Sequence, residues 1–415
     1  MTIPNIANSL ISVDRAIEIT LENVSRLPAN STPLADAVGC VLAEEIFSDL
    51  DMPPFDRSMM DGYALRAEDV AEAPTQLKTV GEIPAGVFPD FVIQKGQTAK
   101  IMTGAPLPKG ADAVRQVELT RPLDDPQFVE ISEPVFAGQN VVPRAAEIQV
   151  GAQVLSPGAY ISPAMIGVLA TMGKTQVQVY RKPEIAILST GDELVEPDKK
   201  PSKGKIRNSN SYVLQAFCNS LGLKSQLLGI ARDEKKAIRE KILAGLEKDV
   251  LLITGGVSMG DYDFVDDVFE ELGLNIFYEK VAIKPGKPTV FAKNDDKVVF
   301  GLPGNPVSGA TVFEIIVKPA LRKMAGLKTL HNPRIKATLA TDFLNKTKRE
   351  NYHPCLTTYE NGAFVCQPLK TRGSGDVLGY GRNNSYLKCP QDTQKIAAGD
   401  QIEVILRDDF YLTHS

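Results

Sequence analysis

Residues 185–192 read Ile-Ala-Ile-Leu-Ser-Thr-Gly-Asp, and residues 249–256 read Asp-Val-Leu-Leu-Ile-Thr-Gly-Gly. Each is a short unbroken apolar run that ends abruptly in Thr-Gly. That is the pattern of a strand covered on both faces that opens into a glycine loop. Between them, SYVLQAFCNSLG (211–222) and EKKAIREKILAGLEK (234–248) have helical spacing, and SQLLGIARD (225–233) is strand-like. Beyond them come a helical DFVDDVFEELG (263–273), the strand-like PTVFAKN (288–294) and KVVFGLPG (297–304), and a helix from Pro306. Strand and helix alternate, so residues 182–330 predict a doubly wound α/β domain. In such a sheet a ligand binds beyond the carboxyl ends of the strands.

On either side the texture changes. Val13, Ala16, Ile17, Leu21 and Val24 recur at helical spacing behind Ser12, an expected N-cap, and this helix must pack on something else. From 48 to 142, short β-prone runs broken by Pro and Gly predict an inserted β-rich domain. Helical character returns at Ser162-Pro163, with Ser as N-cap and Pro at the first helical position. Residues 1–47 and 143–181 are therefore expected to form one split helical domain around the insert. Residues 331–415 revert to β texture, with Asn361-Gly362 suited to a type I′ hairpin turn, and predict a small C-terminal β domain. The fold class is a multidomain α/β plus β protein.

Composition narrows the function. In 415 residues, 46 Lys and Arg face 51 Asp and Glu, a net charge of -5, without the basic surplus that phosphate-backbone binding requires. Nucleic acid is not an expected partner. The five cysteines, Cys40, Cys218, Cys355, Cys366 and Cys389, are odd in number and show no C-x-x-C spacing. With an opening MTIPNIANSL that lacks a basic and apolar leader, this predicts a reduced cytoplasmic protein. No apolar stretch reaches the roughly 20 residues of a membrane span. Only three histidines are present, so a catalytic metal is expected on oxygen ligands, which is magnesium-type chemistry.

The chemistry should lie in the loops that follow the strands: Ser189-Thr-Gly-Asp-Glu193, Arg232-Asp233, Thr254 to Asp263, Lys284-Pro-Gly-Lys287-Pro and Pro303-Gly-Asn-Pro306. Glycine lets backbone N–H groups approach an anion, which points to a phosphate-bearing ligand, although neither G-x-G-x-x-G nor the P-loop pattern occurs. Lys284 and Lys287 can supply positive charge. Glu193, Asp233 and Asp263 in the same crevice are compatible with phosphate only through a bridging divalent cation. Blander readings stand beside these. Asp233, and Asp261 or Asp263, precede helices and suit N-caps; Asp61-Gly62 suits a plain turn; the two lysines suit a solvated surface. Gly256-Val-Ser258-Met-Gly260 also matches G-x-S-x-G, which would make Ser258 a hydrolase nucleophile if an acid and a histidine such as His331 reached it.

Six motifs in order carry a resemblance. They are Ser58-Met-Met-Asp61-Gly-Tyr-Ala64, Ile101-Met-Thr103-Gly-Ala-Pro106, Ser189-Thr-Gly-Asp-Glu193, Thr254-Gly-Gly-Val-Ser258-Met-Gly260, Ile283-Lys-Pro-Gly-Lys-Pro288 and Gly301-Leu-Pro-Gly-Asn-Pro306. Together they resemble the MoeA and gephyrin E-domain family of molybdopterin molybdenumtransferases over nearly the whole chain. The resemblance implies magnesium-dependent insertion of molybdate into adenylylated molybdopterin with release of AMP. It implies functional roles for Asp61, Thr103, Glu193, Asp233, Asp263, Pro303 and Pro306, with Glu193, Asp233 and Asp263 on the metal. It places Ser258, Lys284, Lys287, Arg349 and Ser374 around molybdate and phosphate, with Ser258 binding oxyanion through its hydroxyl. It further implies a homodimer in which Asp61 and Thr103 act across the interface, with a molybdopterin adenylyltransferase as a further candidate partner. A gephyrin-type interaction scaffold is the alternative. The chain departs from the family pattern at Met59, at Arg115-Gln116-Val117, at Ala145-Ala146-Glu147 in place of Gly-Glu-Asp, and at Pro354 in place of a second arginine.

Overall fold

The computed structural model describes residues 9–256 and 264–412. Seven strands form the central sheet: β1 (Leu10–Ile11), β2 (Ile185–Thr190), β3 (Ser225–Ala231), β4 (Val250–Thr254), β5 (Asn275–Val281), β6 (Pro288–Asn294) and β7 (Lys297–Leu302). Their order is β1-β5-β6-β7-β4-β2-β3. β7, β4, β2 and β3 run parallel, and β6 lies antiparallel between β5 and β7. The helices are α1 (Val13–Asn23), α2 (Pro163–Thr171), α3 (Asn210–Ser220), α4 (Lys235–Gly245), α5 (Phe264–Glu271), α6 (Pro306–Val312) and α7 (Lys318–Met324).

Alternation along the strands explains the unbroken apolar runs. Ile185, Ile187, Val250 and Leu252 pack in one core with α1, α3, α6 and α7, while Ala186, Leu188, Leu251 and Ile253 pack in the other with α4 and α5. Each residue of such a strand is inside, and each buried aliphatic side chain contributes about 1.5–3 kcal/mol relative to exposure.

The first helix joins this sheet. Ser12 caps it by accepting from the Arg15 N–H, and β1 pairs in parallel with β5, Ile11 opposite Val281. Val13, Ala16 and Ile17 bury against the α/β core, and the Thr20 and Tyr278 hydroxyls share a 2.8 Å hydrogen bond. The sequence predicts this helix in the split domain, whereas it packs on the α/β core. Its pattern shows that it has an apolar face; which surface covers that face depends on contacts 258 residues away along the chain at Thr20–Tyr278 and on the pairing of Ile11 with Val281.

The split unit is held by antiparallel pairs, Ala29–Pro33 with Gln176–Tyr180 and Ile46–Phe47 with Gln153–Leu155. Among the described residues its one α-helix is α2, capped by Ser162 through the Met165 N–H, so it is less helical than the sequence suggested. The insert is a six-stranded sheet, with Gly62–Leu65 between Gln97–Ile101 and Ala113–Gln116. At the C-terminus β8 (Arg334–Leu339), β9 (Glu350–Glu360), β10 (Ala363–Pro368), β11 (Ser385–Cys389) and β12 (Gln401–Leu406) close into a barrel in the cycle β9-β10-β8-β12-β11-β9. Asn361 (φ 50°) and Gly362 (φ 82°) make the turn between β9 and β10, both on the positive-φ side that a type I′ turn needs. All five cysteines are free and buried. No described helix is long and apolar enough to cross a membrane.

Candidate active site

β2 and β4 are neighbours, yet α3, which follows β2, and α5, which follows β4, lie on opposite faces of the sheet. That divergence opens a crevice beyond their carboxyl ends. β2 runs into Thr190-Gly191-Asp192-Glu193 and β4 into Thr254-Gly255-Gly256. Gly255 has φ +87°, and a Cβ there would stand 2.5 Å from the Thr190 carbonyl oxygen. A Cβ on Gly304, in the loop after β7, would lie 3.5 Å from the Gly255 Cα. Three loops therefore abut, and at Gly255 a side chain would collide with the Thr190 backbone. At their junction the Thr190 hydroxyl is buried without a hydrogen-bond partner among the described residues.

The acidic side comes from the loops after β2 and β3. Glu193 is exposed, its backbone carbonyl accepts from the Ile206 N–H at 2.8 Å, and its carboxylate, folded over Gly191, makes no hydrogen bond or ion pair among the described residues. Asp233 is not the cap of α4; Glu234 takes that position. Instead Asp233 Oδ2 accepts from the Asp192 N–H at 3.2 Å, and Asp192 Oδ1 accepts from the Asp233 N–H at 3.4 Å. This reciprocal clasp locks the two loops together, and Arg232 adds a bond to the Asp192 carbonyl at 3.2 Å. Asp263, Asp261 and Ser258 lie outside the described residues. Among the described residues no group of three metal-ligating side chains occurs.

The cationic side is gathered on α6. Pro306 opens this helix, and the Val307 N–H donates to the Ser374 carbonyl oxygen at 3.1 Å, bringing a segment of the C-terminal domain to its first turn. A Cβ on Gly286 would stand 2.5 Å from Val312 Cγ2, so the Lys284-Pro-Gly-Lys287 turn packs directly on the same helix. Pro303 lies just before it, its carbonyl near Gly309. Lys284 and Lys287 are exposed and form no ion pair among the described residues. Arg349 donates from Nη1 to the Ile283 carbonyl oxygen at 2.8 Å, and burial lowers its pKa from the ordinary arginine value. The strand pairing of Ile283 and Lys284 with Glu350 and Asn351 fixes this junction between the α/β domain and the barrel.

Asp61 and Thr103, far apart in sequence, meet in the inserted sheet. The Thr103 N–H and hydroxyl both donate to Asp61 Oδ1, at 2.7 and 2.9 Å. Those two donors hold the carboxyl below the usual Asp range. Gly62 is required beside it, because a Cβ would lie 1.9 Å from the Arg115 carbonyl oxygen. Among the described residues of one chain, no hydrogen bond or ion pair joins this pair to the α/β crevice.

The departures from the family pattern have local explanations. Arg115 is buried and paired with Glu133 at 2.7 Å, Ala145 sits at φ 60° where glycine is the usual choice, and Glu147 accepts from Arg57 at 2.9 Å. Pro354 is buried in β9 opposite Tyr386 and contributes packing without charge; Ala146 closes a turn onto Pro143, and Met59 is half-exposed. Neither described candidate histidine supports a hydrolase triad. His353 is bonded to the Leu369 carbonyl, and His331 makes no hydrogen bond to a carboxylate among the described residues.

Sequence reasoning missed residues 207–211, Arg-Asn-Ser-Asn-Ser. Asn208 and Ser211 are buried with Ser189: Ser189 Oγ donates to Asn208 Oδ1 at 3.0 Å and shares a 2.7 Å bond with Ser211 Oγ, while the Ser211 N–H donates to Asn208 Oδ1 at 3.3 Å. The signal was an Asn/Ser string opening a helix, residues that bond to nearby backbone.

Comparison with known proteins agrees with this geometry. Family models for the MoeA N-terminal region (domain I and II), a probable molybdopterin binding domain and the MoeA C-terminal region (domain IV) match residues 11–173, 186–323 and 336–406. A molybdopterin molybdenumtransferase of Staphylococcus aureus is 33% identical over 403 residues, covering 96% of both chains, and one from Staphylococcus epidermidis is 34% identical with the same coverage. The solved molybdopterin biosynthesis MoeA protein of Pyrococcus horikoshii superposes with TM-score 0.80 at 31% identity, over 96% of this chain and 100% of that one. Matched end to end in all three regions, the chain belongs to the molybdopterin molybdenumtransferase family, and its work is in molybdenum cofactor biosynthesis.

Proposed function

We propose that the protein inserts molybdate into adenylylated molybdopterin with magnesium, releasing AMP, in the cytoplasm. The observation that carries this reading is the convergence on α6. Its start abuts the glycine loops, its far end meets the Lys284–Lys287 turn, and its first turn receives the Ser374 backbone. On this reading the glycine-loop backbone, the unpaired lysines and the carboxylates serve one cleft, as a dianion and a pyrophosphate-bearing ligand require. Glu193 and Asp233, with Asp263 beyond the described residues, are hard oxygen donors of the kind magnesium takes, and they would hold it. When bound, magnesium supplies Lewis-acid polarisation of a phosphoryl oxygen. The protein's own groups orient the anhydride through Lys284, Lys287 and Arg349, while the loop clasp of Asp192 and Asp233 keeps the acidic side in register.

The same reading includes a homodimer. α2 is apolar all round, yet only Leu169 within it is buried; Ala164, Gly167, Val168 and Thr171 line its outer side. A helix apolar on every side requires cover on every side. Small residues there suit close approach of a second copy, and Asp61 with Thr103 would then complete the partner's cleft.

The test is AMP release from adenylylated molybdopterin with magnesium and molybdate, measured alongside sedimentation. Turnover by a dimer of about twice the 45.0 kDa chain mass supports the reading. Asp263→Asn should abolish the magnesium-stimulated release, Lys287→Ala should chiefly weaken the molybdate dependence, and Val168→Glu should give monomers that have lost turnover. A wild-type protein that releases no AMP, or a fully active monomer, overturns it.

A further inference from the structure

Asn210 is the first residue of α3, half-buried, against the end of β4 and the loop after β7. Its Nδ2 donates to Thr254 Oγ1 at 2.9 Å and to the Gly304 carbonyl oxygen at 2.7 Å. Both amide hydrogens are therefore used, one on the last residue of β4 and one on the loop that leads into α6. Those are the loops that abut at Gly255 and Gly304, so one carboxamide sets the spacing between the glycine-rich anion cradle and the helix that carries the cationic side. The nearby polar groups have a different task. Asn208, Ser211 and Ser189 are wholly buried and bond among themselves, so they fasten α3 to β2.

We infer that Asn210 is a positioning residue for the transferase reaction: it holds the Thr254–Gly256 loop against the Pro303–Pro306 loop at the separation the phosphate-bearing substrate needs. The inference rests on the proposed function, since it assumes that the substrate's phosphates lie between these loops. Aspartate keeps the shape but loses both donors and sets a carboxylate against the Gly304 carbonyl. Glutamine keeps the donor group on a longer stem. A loop displaced by about an ångström costs roughly 100-fold in rate where reacting groups are held by position.

The experiment compares wild type, Asn210→Ala, Asn210→Asp and Asn210→Gln in steady-state AMP release, with the thermal midpoint and the sedimentation of each. Wild-type turnover is read first; its absence overturns the proposed function and not this inference alone. Given an active wild type, Asn210→Ala and Asn210→Asp should lower kcat by roughly 10- to 100-fold with the thermal midpoint and dimer kept. Asn210→Gln should recover part of the loss. Asn208→Ala serves as the structural comparison, with a lower thermal midpoint and kcat per folded site nearly unchanged. Wild-type kcat in Asn210→Ala and Asn210→Asp overturns the inference. So does a loss in all three variants that follows the folded fraction, since that is the mark of a fold-supporting residue only.

Discussion

Lys318 is the most exacting test of how the α/β domain is joined to the barrel. Its side chain is 3% exposed, and its ammonium lies 2.9 Å from Glu314, whose side chain is also 3% exposed, and 2.7 Å from Asp408, which arrives from beyond β12. Replacing it by methionine keeps the length and removes the charge, leaving the Glu314 carboxylate buried. Breaking one side of a buried pair costs about 3–5 kcal/mol. Two contacts survive: Asn332 still donates to Glu314 at 2.9 Å, and Arg322 still donates twice to Asp408, at 2.9 and 3.1 Å. They place the expected cost at the lower end, about 3 kcal/mol. At urea slopes of about 1–3 kcal/mol/M, the transition of the joined domains should move down by roughly 1–3 M. The double variant Glu314→Leu with Lys318→Met should recover most of the loss, because an apolar pair of similar volume carries no desolvation cost. A cost below about 1 kcal/mol for Lys318→Met alone would refute the claim that Glu314 depends on Lys318. Acid adds a signed check. Burial raises the Asp408 pKa, but Lys318 and Arg322 outweigh it and hold it below the usual value. A carboxyl depressed in the folded state contributes fully above its unfolded pKa of about 3.9, and that contribution is lost as pH falls through the folded value. The wild type should therefore lose stability below about pH 4 more steeply than Lys318→Met.

Two further outcomes follow from local geometry. Thr103→Val removes the hydroxyl donor but keeps the N–H, so the Asp61 carboxyl should titrate higher than in wild type; an unchanged carboxyl NMR titration would show that the hydroxyl does not bear on it. Ala145→Gly should raise stability by about 0.5–1 kcal/mol, because relief of roughly 1–2 kcal/mol at φ 60° exceeds the added unfolded-chain entropy of glycine; a lower denaturation midpoint would refute it.

How much was legible in sequence differs by element. The strand runs at 185–190 and 250–254 were readable because burial on both faces leaves no polar alternation to confuse them. Ser12, Ser162 and Asn361-Gly362 were readable because caps and tight turns are decided within four residues. Asp233 misled the cap reading, since its true partner, the Asp192 N–H, lies in another loop. Asn210 gave no functional signal, since its two bonds reach 44 and 94 residues along the chain.

By itself the sequence determined what is local: the alternation that makes an α/β sheet, the glycines that bare the backbone, the lysines and carboxylates available for anion and cation chemistry, and the family motifs. The tertiary structure alone decided where these meet. It moved α1 onto the sheet through β1 and β5, brought Thr103 onto Asp61, closed five C-terminal strands into a barrel, and gathered three separate motifs on α6. The physical reason is that hydrogen bonds and apolar contacts between distant segments depend on chain topology and packing, and no residue's neighbours in sequence carry that information.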